Sequence, residues 1–174
     1  MTTQEPPRDA AHLRELPAVS VILTVVNESR HLSRAISSVL SSDYPGQIEV
    51  IVAVGPSRDD TRTIADHIAA RDSRVRIIEN PTGRTPDGLN AALQSARCDY
   101  VVRIDGHSEI ERSYIKRAIE LIIKTGAVNV GGVMAAEGIT TFESAVARAM
   151  RSPIGVGASR FHTGGDRKST RLNS

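Results

Sequence analysis

From Val19 onward, short runs of β-branched residues alternate with stretches whose apolar residues recur at helical spacing. VSVILTVV (19–26) is apolar almost throughout and predicts a buried strand, after which Leu32, Ile36, Val39 and Leu40 trace one face of a helix. Pro45-Gly46 breaks the chain before a second strand, IEVIVAV (48–54), and a helix around Ile64 and Ile68. A third strand, VRII (75–78), leads through Asn80-Pro81-Thr82-Gly83 to a helix opened by Thr85, with Pro86 at its first position. YVVRI (100–104) is a fourth strand. Ser108 and Glu111 are spaced as a capping box for a helix carrying Ile115, Ile119, Ile122 and Ile123, and Gly126 suits its left-handed C-terminal position. AVNVGGVM (127–134) predicts a fifth strand, and a further helix is expected over Phe142 to Met150. Apolar strands separated by helices imply an α/β fold, a mostly parallel sheet with helices on both faces.

Ligands of such sheets bind outside the carboxyl ends of the strands, so the loops after strands one to four are where chemistry is expected. The sharpest signal is Arg103-Ile104-Asp105-Gly106-His107, where a strand ends in two metal-competent groups separated by glycine. Side chains at i and i+2 of an extended segment share a side, so Asp105 and His107 can converge on one cation such as Mn²⁺. The spacing equally allows a strand end, a turn and an exposed histidine. Asn27-Glu28 follows the first strand, where Asn27 also suits the N-cap of the first helix. Ser57 with Asp60 looks like a helix start, and Asp59 reads as a solvated first-turn acid. Arg84 precedes a helix N-terminus and is either a phosphate clamp or an exposed loop arginine. Cys98 abuts a strand and reads as a small buried hydrophobe.

Several function classes are excluded by absences. The turn Asn27-Glu28-Ser29-Arg30 holds no glycine, so there is no dinucleotide-binding fingerprint, and neither a phosphate loop nor a nucleophile elbow occurs. At 40% hydrophobic and 24% charged over 174 residues, the chain has the composition of a folded domain. The formal net charge of +2 is matched by the last nine residues alone, Asp166 to Ser174, which hold three cationic residues against one acid. The rest of the chain is formally neutral, so charge gives no argument for a nucleic-acid partner. Those nine residues coincide with the translation of a common short-read sequencing adapter. They are therefore expected to be a non-native tail, with the native chain continuing past Gly165. The single cysteine and the polar N-terminus without an apolar core fit a cytoplasmic setting, and no run of ~18 apolar residues is present to span a bilayer. The expected organisation is a flexible segment (1–17), a domain (18–165) and the tail (166–174).

The segment VSVILTVVNESRHLSRAISSVLSSDYPGQIEVIVAVGPSRDDT resembles the opening of family 2 glycosyltransferases, whose first strand runs into P-x-Y-N-E and whose second ends in D-D-G-S-x-D. The likeness continues through NPTGRTPDGLNAAL and Asp105-Gly106-His107, which stands at the family's D-x-D metal motif, and on to Gly131 through Gly138. It is similar to the bacterial exopolysaccharide branch, of the succinoglycan glucosyltransferase type. The resemblance implies a Rossmann-like GT-A fold, a nucleotide-sugar donor, Mn²⁺ or Mg²⁺, a glycan or lipid-linked acceptor, and inversion at the anomeric carbon. It would put the intact protein in the cytoplasm, with association at the inner face of the plasma membrane left open. It places Asn27 and Glu28 in the nucleoside-facing turn, Gly55 in the donor loop, Arg84 near the nucleotide, Asp105 at ribose or metal, and His107 at metal and diphosphate. Two departures stand out: Val26 replaces the motif tyrosine, and Val54 and Gly55 replace the two acids that usually meet the base, so uridine is not specified. The family's general base has no counterpart before Gly165, and neither Glu137 nor Glu143 is expected to replace it, so this stretch is expected to be inactive alone. A noncatalytic nucleotide-binding module and a sugar-phosphate nucleotidyltransferase are the alternatives carried forward.

Overall fold

The computed structural model describes residues 16–131. The described residues up to Val128 belong to one compact unit, which holds all the elements described here. The element order is β1 (Val19–Val25), α1 (Leu32–Leu40), β2 (Ile48–Val54), α2 (Thr61–Arg71), β3 (Val75–Glu79), α3 (Thr85–Ser95), β4 (Tyr100–Arg103) and α4 (Tyr114–Thr125). The four strands form one sheet in the order β3-β2-β1-β4, and every pairing is parallel. Val19 stands level with Ile48 on one side and Tyr100 on the other, which makes β1 central.

Alternation along β1 and β2 divides the core into two layers. Val19, Val21, Leu23 and Val25 join Val50, Val52 and Val54 against Leu32, Ile36 and Val39 of α1, Ala65 of α2, and Ile115 and Ile119 of α4. The intervening Ile22, Ile51 and Ala53 pack on Ala92 and Leu89 of α3. Both faces are thus covered, as the apolar strands required, but unequally: three helices on one side and one on the other. Among the described residues no helix is long and apolar enough to cross a membrane.

The α3 face also carries a polar cluster at the amino ends of the strands. Ser20 is fully buried; its hydroxyl donates to Glu49 Oε1 at 2.6 Å and accepts from the Cys98 amide at 3.1 Å. The same Glu49 oxygen accepts the Arg97 amide at 2.7 Å, and Arg76 reaches Glu49 Oε2 at 3.4 Å. Burial pushes the Glu49 carboxyl up, but the Ser20 hydroxyl, the Arg97 amide and the Arg76 guanidinium together hold it below its ordinary value. On the opposite face Tyr44 is buried, and its hydroxyl donates to the Pro17 carbonyl. Burial first, then the neighbouring Tyr100 and Cys98, push that phenol up to about 12, so it remains a donor.

Several local expectations are corrected. Strand β1 ends at Val25, because Asn27 turns left-handed with φ 55°. Asn27 does not cap α1, whose N-cap is His31, without a side-chain bond. Thr85 lies inside α3 and Arg84 occupies the N-cap. The capping box fails because α4 starts at Tyr114 with Ser113 as N-cap, while the Ser108 amide donates to the Asp105 carbonyl in a turn. Gly126 does end α4 in the left-handed region, at φ 66°. Cys98 is half-buried, and its amide is engaged by Ser20. Residues 127–131 form no strand; the remainder of the expected fifth strand, the helix over 142–150, Glu137, Glu143 and the nine-residue tail lie outside the described residues.

Replacing Glu49 by Ala strips acceptors from Ser20, Arg97 and Arg76 and is expected to cost about 1–3 kcal/mol at neutral pH. A carboxyl held below its ordinary value stabilises the fold above that value, ~4.3 for glutamate, and loses the contribution as pH falls through the lowered one. Urea unfolding of the wild type and Glu49→Ala at pH ~7 and pH ~3 should therefore show the difference shrinking in acid. A pH-independent difference would mean that the charge of Glu49 plays no part.

Candidate functional site

All four strands point their carboxyl ends the same way, so the loops after β1, β2, β3 and β4 gather at one edge of the sheet. There they are tied by side-chain bonds to backbone amides. The Asn27 amide donates to Ser57 Oγ at 3.1 Å, and the Arg58 amide donates to Asn27 Oδ1 at 2.8 Å. The Glu28 amide donates to Thr61 Oγ1 at 2.7 Å, and the Ser29 amide to Asp59 Oδ2 at 3.0 Å. Asp59 Oδ1 accepts both the amide and the hydroxyl of Thr61, at 3.0 and 2.5 Å. These bonds, the Thr61 hydroxyl foremost and then the Ser29 and Thr61 amides, hold the Asp59 carboxyl far below the ordinary aspartate range, although desolvation opposes them. Asp59 is therefore a brace between the β1 and β2 loops, where the sequence suggested a solvated acid. Asp60, read as part of a helix start with Ser57, is the N-cap of α2 but makes no side-chain cap bond.

The β3 loop joins this frame through Asn80, which is 2% exposed. Its side-chain amide donates to Thr24 Oγ1 at 3.3 Å and to the Arg84 carbonyl at 3.2 Å, while its carbonyl oxygen accepts from Thr82. Nothing in the sequence singled out Asn80 or Thr61, and Asp59 was expected to be solvated, since each is an ordinary polar residue near a turn. Gly55 is buried where three loops meet; a Cβ there would stand 2.7 Å from a Val26 methyl and 2.9 Å from the Gly83 Cα. The backbone of Gly83 cannot swing aside as a side chain can, so the position needs glycine.

The β4 loop carries both sequence-predicted metal candidates to this edge, but β4 ends at Arg103 and residues 105–108 form a turn closed by the Ser108 amide on the Asp105 carbonyl, so the extended i, i+2 geometry expected for Asp105 and His107 does not form and the two side chains take different partners. His107 Nδ1 lies 3.0 Å from Glu28 Oε1, a contact between residues 79 positions apart. His107 is well exposed at 61%, while the Glu28 side chain is 22% exposed. Gly106 permits the approach, because a Cβ there would stand 2.5 Å from a Val25 methyl and 3.4 Å from the Glu28 Cγ. Asp105 is turned to Arg103, whose guanidinium donates to its Oδ1 at 3.0 Å. The exposed Arg84 sits at the N-cap of α3, with its carbonyl accepting from Asn80 and Gly88. A concavity of about 300 Å³ lined by Leu40, Tyr44, Ile48 and Arg74 lies by the amino ends of β2 and β3 and contains none of these residues.

Residues 20–172 match the family model for glycosyl transferase family 2. The chain belongs to glycosyl transferase family 2. This family 2 chain is 34% identical over 146 residues to the succinoglycan biosynthesis protein ExoA of Rhizobium meliloti (strain 1021), covering 83% of this chain and 44% of that protein. It is 29% identical over 119 residues to glycosyltransferase AglE of Haloferax volcanii, covering 67% and 39%. Among solved structures it resembles the mannosyltransferase PcManGT of Pyrobaculum calidifontis, in complex with GDP-Man and Mn²⁺, with TM-score 0.57, 23% identity, and coverage of 76% and 40%. A similar likeness holds to S. aureus TarS 1-349 in complex with UDP, with TM-score 0.57, 20% identity, and coverage of 68% and 39%. These structures show the shared GT-A fold. The family 2 chain spans less than half the length of the curated relatives and solved chains named here.

Asn27 is the only described non-glycine residue with positive φ, and its side chain also receives the Arg58 amide. Asn27→Ala is expected to cost about 1–2 kcal/mol, since alanine tolerates the left-handed region poorly, and Asn27→Gly less. Chemical denaturation of both variants checks this; equal losses would assign the whole effect to the lost hydrogen bond.

Proposed function

We propose that the loops at the carboxyl ends of β1 to β4 hold a nucleotide-sugar donor, and that the intact protein transfers its sugar, with inversion, to a glycan or lipid-linked acceptor in polysaccharide biosynthesis. The observation that carries this reading is the meeting of Glu28 and His107, in the loop that also holds Asp105, at the carboxyl edge of a family 2 sheet. The similarity to ExoA, a succinoglycan biosynthesis protein, supports the pathway, and the donor nucleotide held by PcManGT supports the ligand class. Asn27, Glu28 and Gly55 shape the nucleoside-facing wall. Arg84, exposed at the start of α3, is placed to meet phosphate charge. Transfer at the cytoplasmic face of the plasma membrane belongs to the same reading.

The donor set also suits a divalent cation. Among the described residues no three His, Cys, Asp or Glu side chains stand close enough to hold a metal by themselves. Asp105 and His107 would thus share the ion with diphosphate oxygens and water, as Mg²⁺ and Mn²⁺ are commonly held beside phosphates. The imidazole favours Mn²⁺ over the harder Mg²⁺. A cation there would neutralise the departing diphosphate.

Calorimetric titration of the chain with uridine, guanosine and thymidine diphosphates, with and without Mn²⁺, is expected to show metal-dependent binding of one of them. Asp105→Asn should weaken that binding at least about ten-fold while leaving the fold intact, because it removes one charge at nearly constant volume. A folded chain that binds none of the three would sink the donor reading, and undiminished metal dependence in Asp105→Asn would refute the role of Asp105.

A further inference from the structure

The Glu28–His107 contact has a chemical direction. A carboxylate offers only acceptors at neutral pH, and a neutral imidazole carries its single proton on one of two nitrogens. His107 Nδ1 faces Glu28 Oε1 at 3.0 Å, so the proton must sit on Nδ1 for the contact to be a hydrogen bond. The other ring nitrogen, Nε2, is then left with a free lone pair. The ring as a whole is 61% exposed, whereas Glu28 is largely covered.

The Glu28 backbone is itself held on both sides. Its amide donates to Thr61 Oγ1, its carbonyl accepts the amides of His31 and Leu32 as α1 begins, and Gly106 lies against its Cγ. We infer that Glu28 is a positioning residue that fixes His107 in the Nδ1–H tautomer and so presents Nε2 as the ligand for the divalent cation. A histidine whose far nitrogen donates to a carboxylate is both oriented and made more basic as a metal ligand. This rests on the donor reading above for the presence of a cation, but the tautomer itself does not.

Nitrogen-15 NMR of the metal-free chain, recorded in the alkaline range where the His107 spectrum no longer changes with pH, reads the tautomer directly. The wild type should show His107 protonated at Nδ1, and Glu28→Ala should shift it toward the Nε2–H form. Glu28→Gln should retain the native tautomer, because the amide oxygen still accepts from Nδ1. Titration with Mn²⁺ in the presence of inorganic diphosphate, followed by electron paramagnetic resonance, should show affinity falling about ten-fold or more in Glu28→Ala and recovering largely in Glu28→Gln. An Nε2–H wild type overturns the inference. So does Glu28→Ala with the tautomer changed and Mn²⁺ affinity intact, which would remove His107 from the cation, and so does a wild type that binds no Mn²⁺. A chain with Nδ1–H and Glu28-dependent Mn²⁺ affinity that binds no nucleoside diphosphate would support the inference and count against the donor reading alone.

Discussion

Parallel pairing on both sides of β1 is the constraint from which the site follows. With β2 on one side of β1, β4 on the other and all strands running alike, four loops from four distant stretches of sequence must emerge at one end. Parallel strands cannot be joined by a tight turn, so each connection needs a crossover, and the helices that make the crossovers also bury the sheet. The same geometry that satisfies the backbone and hides the valines of β1 and β2 therefore concentrates polar loop residues in one place.

Concentration alone would leave the loops free to move. Asp59, Thr61, Asn27 and Asn80 remove that freedom by spending their side chains on amides, hydroxyls and carbonyls of neighbouring loops. Such bonds are individually modest, about 1 kcal/mol each. Their effect here is geometric: they hold the Glu28 backbone against α2, which puts the Glu28 carboxylate where His107 can reach it. Gly55 and Gly106 serve the same end from the opposite direction, by allowing backbones to approach where any side chain would intrude.

The buried polar cluster around Glu49 and Ser20 is the counterpart at the other end of the sheet. It ties β1, β2 and the residues entering β4 together through one carboxylate, and it lies away from the loops that carry the site residues. The sheet is thus pinned by packing along its middle and by polar bonds at both ends.

The sequence by itself determined the element order from β1 to α4, because hydrophobic period reports burial directly and the runs at 19–26, 48–54, 75–78 and 100–104 lie at regular spacing between helical stretches; the same pattern at 127–131 forms no strand. It also marked Asp105-Gly106-His107 as a candidate site after a strand, and its motifs carried the family. Helix starts were less legible: Asn27 and the Ser108/Glu111 pair suit caps locally and Asp59 suits a solvated first turn, yet tertiary partners claimed Asn27 and Asp59 for bracing loops, and a turn after β4 displaced the start of α4. Only the tertiary structure decided that Glu28 belongs to His107, and that Asp105 turns to Arg103. The physical reason is distance along the chain: periodicity and capping act over a few residues, whereas a contact spanning 79 positions exists only once the sheet has set its strand order.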